Sequence, residues 1–190
     1  LNRVTGSDFS SIYDNLSATG SVYLINQNGI AFGSTGVINT GGDFVGSTLG
    51  VSNSDFLNGG DTTFAGSSIA SIVNLGSISS SGGDVSLLSQ TISNSGTISA
   101  GNGAVSLVVG SEILMHDASL DSGKFLVQVG SSGSSVTEQG AIEAATIELK
   151  ANGGNIYALA GNTDGMMRAT GVSGEGGRIF LTAGNTGSVV

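Results

Sequence analysis

NLGSISSSGGDVSLL, residues 74–88, returns 20 positions later as NSGTISAGNGAVSLV, residues 94–108. The shift brings Ile78 onto Ile98, Val85 onto Val105 and Leu87 onto Leu107. Each copy reads as an Asn-x-Gly turn, a short strand, a second Gly-rich turn and an alternating apolar strand, and alternation of period two marks strands with one buried face. A coil of about 20 residues cannot bury that face alone, so it must stack on its neighbours. Parallel pairing at about 4.8 Å between successive coils makes ladders of Ile78 with Ile98 and Leu87 with Leu107. The expected fold is all-β: a right-handed parallel β-helix (β-solenoid), elongated, of roughly eight coils and about 40 Å.

The same grammar continues with variable spacing in ASLDSGKFLVQV from Ala118, GAIEAATIELKA from Gly140, NGGNIYALAG from Asn152 and RATGVSGEGGRIFLTAG from Arg168. Constant strands between variable turns predict coils whose corners accept insertions. Within TIELK, Ile147 and Leu149 face inward while Thr146, Glu148 and Lys150 face outward. The expected organisation is a first part, residues 1–65, continuous with repetitive coils of about 20 or more residues over 66–190.

Composition agrees with strands rather than with disorder or long helices. There are 33 glycines, but 38% of the residues are hydrophobic, only 10% are charged, and proline is absent. Such a surface consists mainly of Ser, Thr, Asn and Gly, which suits β-turns and not solvated helices. The net charge of −9 comes with five scattered cations, Arg3, Lys124, Lys150, Arg168 and Arg178. Nucleic acid and anionic membrane surfaces need clustered Lys and Arg, so neither is an expected partner. Without cysteine, disulfides and thiolate metal sites are excluded. No apolar run of about 18 residues is present to cross a bilayer as a helix. Leu1 follows neither a methionine nor a signal peptide, which reads as a mature product or a fragment.

Seven of the ten aromatic residues fall before position 65, so the N-terminal third is expected to carry extra-helical, aromatic-rich decoration. This third holds NRVTGSDFSSI from Asn2 and GSVYLINQNGIAFGSTGVINTGGDFVGSTLGVSNSDFL from Gly20. Over about residues 2 to 64 it resembles the secretion domain of filamentous haemagglutinin-like exoproteins, the two-partner secretion family. The resemblance implies a β-helical domain recognised during export by an outer-membrane transporter, with an Asn-Pro-Asn-Gly-Ile motif that falls here on Asn26, Gln27, Asn28, Gly29 and Ile30. Gln27 stands where the family has proline. The family's earlier Asn-Pro-Asn-Leu motif and N-terminal cap have no visible counterpart, which implies that the upstream part of the domain is missing or divergent. Turn chemistry alone makes Asn28-Gly29 a corner between inward-packed Ile25, Ile30 and Phe32. Folding and recognition can share that shape.

Candidates for chemistry are few. His116 is the single histidine, with Asp117 adjacent and Glu112 nearby, and is expected as a solvated turn residue. Asp55, Asp61 and Asp84 read as turn caps, because the Gly-Gly-x-Gly-x-Asp repeat of calcium-binding β-rolls is absent. Glu148 and Lys150 read as a solvated outer-face ion pair worth at most about 1 kcal/mol. Gly174-Glu175-Gly176-Gly177 lacks the lysine and helix of a phosphate loop and reads as a corner. Asn15-Leu16-Ser17 matches a glycosylation acceptor by pattern only.

No catalytic residue, cofactor or metal is therefore expected. The expected function is a secreted or cell-surface adhesin segment, a non-enzymatic rod presenting polar faces to a host, a neighbouring cell or a glycan. A fibre module stacking end to end is the alternative, and a β-helical polysaccharide-degrading enzyme the third reading, disfavoured by the scarcity of suitable acids and bases.

Overall fold

A computed structural model describes residues 1–120, 123–130, 133–151, 155–158, 166–169, 178–183 and 188–189. In chain order, β1 (Asn2–Arg3), β2 (Ser10–Ile12) and β3 (Asn15–Ala18) are followed by β4 (Val22–Ile25), β5 (Ile30–Phe32), β6 (Val37–Thr40) and β7 (Phe44–Ser47). The chain then leaves the coil through β8 (Gly50–Val51), α1 (Asn53–Asn58) and β9 (Thr62–Ala65). It re-enters with β10 (Ser71–Asn74), β11 (Ser77–Ser80), β12 (Val85–Ser89), β13 (Thr91–Asn94) and β14 (Thr97–Val109). A second excursion, β15 (Glu112–Leu120) and β16 (Gly123–Val129), precedes β17 (Ser135–Glu138), β18 (Ala141–Ala151), β19 (Asn155–Ala158), β20 (Met166–Ala169), β21 (Arg178–Ala183) and β22 (Ser188–Val189).

These strands stack as three parallel faces. The first is β2-β5-β10-β13-β17-β19-β22. The second runs through β3, β6, β11 and the N-terminal halves of β14 and β18 to β20. The third runs through β1, β4, β7, β12 and the C-terminal halves of β14 and β18 to β21. The repeat read from sequence is the observed register: Ile78 pairs with Ile98, Val85 with Val105 and Leu87 with Leu107. The fold is all-β and β-helix-like.

Inside, Ile30, Ile72, Ile92 and Val136 form one ladder, and Ile38, Ile78, Ile98 and Ile142 another. All belong to one buried cluster, and burying each such side chain contributes about 2 kcal/mol before the entropy of ordering is set against it. Phe32 and Phe44 lie within this core, meeting edge to face at 5.9 Å between ring centroids.

The excursions correct two expectations. Ile30 pairs with Ile72, 42 positions on, and Ile92 with Val136, 44 positions on, whereas Ile72 and Ile92 are 20 apart. About one coil's length is thus spent outside the stack each time, and seven strands stack on the first face among the described residues. ASLDSGKFLVQV is accordingly no coil but part of the antiparallel β15–β16 hairpin. The excursions join as one sheet, β16-β15-β9-β8, so the added layer draws on residues 112–129 as well as on the N-terminal third. It covers the third face, burying Ile25, Val45, Leu88 and Val108 of the coil against Phe64, Ile113 and Phe125.

A polar ladder occupies the corner between the first and second faces. Buried Asn74 Nδ2 donates to Asn94 Oδ1 at 2.7 Å, and Asn94 Nδ2 lies 2.9 Å from both oxygens of Glu138. Glu138 also accepts from Gly140 N at 2.8 Å. Burial pushes its carboxyl up to about 7, against the opposing pull of the Asn94 and Gly140 hydrogen bonds. Between about pH 4.5 and pH 7 the folded chain therefore holds a proton that the unfolded chain has released. This contribution to stability is fully present below about pH 4.5 and lost as pH rises through 7, a fall of about 3 kcal/mol. Glu138→Gln keeps an acceptor without the charge, so it should flatten that slope and be the more stable protein at pH 8. Denaturant melts at pH 5 and pH 8 check this; identical pH profiles for the two proteins would contradict it.

Candidate functional site

The Asn26–Ile30 segment connects two faces. β4 pairs with β1 and β7, β5 pairs with β2 and β10, and every pairing is parallel. The turn is therefore a coil corner and not a hairpin. Gly29 N donates to Asn26 O at 3.1 Å, closing a four-residue turn with Gln27 at its second position. Asn26 Oδ1 accepts from Asn28 N at 2.9 Å, the side-chain-to-backbone bond that favours asparagine in turns. Gly29 has φ +114°, and a Cβ there would stand 3.3 Å from Ser71 O. Both its conformation and its neighbour favour glycine.

Asn26 is fully buried. Its Nδ2 donates to Asp8 O at 3.0 Å and Ser10 Oγ at 2.9 Å, and its backbone N to Ser47 O at 2.9 Å. Asn28 Nδ2 reaches Gly6 O at 2.8 Å, and Ser68 Oγ donates to Gln27 O at 2.6 Å. The corner thus fastens segment 6–10 on one side and residue 68 on the other. Ile25, Ile30 and Phe32 are buried as expected, but they serve different cores: Ile25 faces the covering sheet, while Ile30 and Phe32 enter the coil. Only the Gln27 and Asn28 side chains are exposed.

The structural weight of Asn26 predicts that Asn26→Ala destabilises the fold by about 2 kcal/mol, since Asp8 O, Ser10 Oγ and Asn28 N all lose a partner. Gln27→Ala should change stability by less than about 0.5 kcal/mol. Thermal melts of the two variants check the contrast.

The other polar candidates disperse. His116 lies on β15, not in a turn, and its Nδ1 meets Asp61 Oδ2 at 3.1 Å. The β15–β9 pairing places the two residues next to each other across the strands. Asp55 sits in the first turn of α1, where its backbone N donates to the N-cap Ser52 Oγ at 2.9 Å. Asp84 Oδ1 accepts from Ala104 N at 2.8 Å, and its Oδ2 meets Lys124 Nζ at 2.7 Å. Burial works to lower the Lys124 pKa, but the Asp84 contact and the Asp43 charge outweigh it and raise the pKa overall. Among the described residues no group of three His, Asp or Glu side chains could hold a metal ion. Gly174 to Gly177 lie outside the described residues.

Glu148 and Lys150 do share the outward side of β18 and form an ion pair, but it is buried, with side-chain exposures of 2% and 11%. Period-two alternation marks this side as outward but not as covered, because the covering sheet comes from a separate excursion. Glu148 accepts from Lys124 N at 3.1 Å, Phe125 N at 3.2 Å and Ser106 Oγ at 3.3 Å, and Lys150 Nζ donates to Phe125 O. The pair grips the backbone of β16. Asn26, Asn74 and Asn94 were legible as turn residues only; their Asn-x-Asn and Asn-x-Gly spacings were the available signal of buried side-chain acceptors.

The family model for the TPS secretion domain matches residues 1–190, well beyond the segment 2–64 that carries the motif resemblance. The crystal structure of the HMW1 secretion domain from Haemophilus influenzae is similar at 28% identity and a TM-score of 0.64, covering 99% of this chain and 51% of that one. The chain thus spans about half the length of that structure. None of the curated proteins matches it. With a parallel-coil fold and a family match over its whole length, the chain belongs to the TPS (two-partner secretion) secretion-domain family, and is a segment of a secreted exoprotein.

Proposed function

We propose that the chain is the export module of a non-enzymatic adhesin, delivered to the bacterial surface or beyond by an outer-membrane two-partner-secretion transporter. The family match over the full 190 residues supports the export part of this reading. Residues 1–65 contain the part the transporter reads: Gln27 and Asn28 on the exposed side of the corner, with Asn26, Gly29 and Ile30 setting its shape. Residues 66–190 continue the coil that folds once outside. The coils run right-handed, as parallel crossover connections do.

The adhesin role is supported by the low charge of the chain, 10% of residues, and by the dispersal of the candidate acids and base: His116 meets Asp61, Asp84 meets Lys124, and Asp55 sits in the capped first turn of α1. End-to-end self-association through unpaired strand edges at a coil end is a second reading. The test is export: the chain, in its natural polypeptide, is expressed with and without the co-expressed transporter, and culture medium is assayed. Transporter-dependent release supports the reading. Release without the transporter, or retention with it, would sink it.

A further inference from the structure

Where the first face turns into the second, Gly36, Gly76, Gly96 and Gly140 stack one above another. A Cβ would stand 2.3 Å from Gly36 O at Gly76, 2.2 Å from Gly76 O at Gly96, and 2.0 Å from Gly96 O at Gly140. No side chain fits at these positions. The backbone is left bare, and an open groove of about 440 Å³ crosses successive coils above it. The floor is held from within, because Gly76 N donates to buried Asn74 Oδ1 at 3.1 Å and Gly140 N to Glu138 Oε1 at 2.8 Å.

Exposed Leu75, Ser95 and Gln139 form one rim, and Ser77 and Thr97 the other. Among the described residues no charged side chain lines the groove, although the chain carries a net charge of −9. A polyanion needs cations to meet it, and a basic peptide needs carboxylates; neither is offered. Hydroxyls and a carboxamide are offered, beside an apolar surface in Leu75, which is 51% exposed. Tyr13, 64% exposed, lies with its ring against Gly33 next to the groove's N-terminal end and adds an aromatic platform. The rim groups recur once per coil, about 4.8 Å apart, close to the rise per residue of an extended sugar chain.

We propose that this groove binds a neutral polysaccharide strand laid along the stacking axis. Ring C–H faces rest on Leu75 and Tyr13, and sugar hydroxyls exchange hydrogen bonds with Ser95, Thr97 and Gln139. The proposal gives the adhesin reading above a ligand class and rests on it only for its biological setting. Binding is measured on the purified folded chain, so failed binding leaves the export reading standing and failed export leaves this one.

The test titrates the purified chain calorimetrically with cellohexaose, xylohexaose and laminarihexaose, with polygalacturonate as the anionic comparison. At least one neutral hexasaccharide should bind with a Kd of about 1 mM or tighter. Leu75→Glu and Gln139→Glu, both at exposed positions, should weaken it at least about tenfold without shifting Tm. Absence of binding by all three, binding that both variants leave unchanged, or equal binding of polygalacturonate would overturn the proposal.

Discussion

Gly96→Ala should destabilise the protein by about 4 kcal/mol or leave it unfolded, whereas Gly101→Ala should be close to neutral. Both are glycines of one coil without a positive φ, so backbone conformation does not distinguish them. Space does. A Cβ on Gly96 would meet Gly76 O at 2.2 Å and the Leu75 carbonyl carbon at 2.8 Å, and neither is a flexible side-chain end that can swing away. Relief requires the two coils to separate, which breaks the Thr97 N to Gly76 O bond of 2.8 Å and loosens the Asn74–Asn94 contact beneath. At Gly101 nothing lies within 4 Å of the added carbon. Denaturant unfolding of the two variants checks the difference; equal stabilities would show that the glycine corner does not set the coil spacing.

Lys150→Met should be the second large loss, about 4 kcal/mol, because it leaves the Glu148 carboxylate buried without its cation. The loss should fall on the covering sheet first. Lys150 Nζ and the Glu148 oxygens hold Phe125 O, Phe125 N and Lys124 N, so β16 is freed while the coil ladders stay paired. Replacing both residues, Glu148→Leu with Lys150→Met, removes charge and counter-charge together, and should recover much of the stability. A double-mutant cycle with hydrogen exchange on β9, β15 and β16 separates these outcomes. Exchange that speeds uniformly through the coil would show that the pair supports the whole stack instead of anchoring β16.

The parts of this fold that were legible are those in which one residue's neighbour lies one repeat away. Ile78 and Ile98 carry the same side chain, face and turn context, so 20-residue spacing and period-two alternation fix their pairing. The excursions defeat the same logic. The sequence of residues 118–129 alternates as a coil strand does, yet β16 pairs antiparallel with β15, which itself pairs with residues 62–65, and no local pattern announces a contact across about 50 positions. Glu148 shows the consequence: its outward direction was readable from TIELK, but its burial depends on that distant layer.

The candidate corner was half legible. The Asn-Gly pair announced a turn, and Gly29 does adopt the positive φ that such a pair permits. That Asn26, one residue before the exposed pair, is the buried centre of the turn required knowing where Asp8 and Ser10 lie. Gln27, by contrast, holds the second turn position, which proline suits.

On the proposed function, the corner has a buried part that folds and an exposed part, Gln27 and Asn28, that the transporter reads. The affinity of the purified chain for the immobilised periplasmic region of a two-partner-secretion transporter is compared for the natural sequence, Gln27→Pro and Gln27→Lys. Gln27→Pro, matching the geometry of the turn, should bind at least as tightly and melt no lower, while Gln27→Lys should bind at least about tenfold more weakly with an unchanged Tm. Equal binding by all three proteins would contradict recognition at this corner and leave Asn26–Ile30 a structural corner alone.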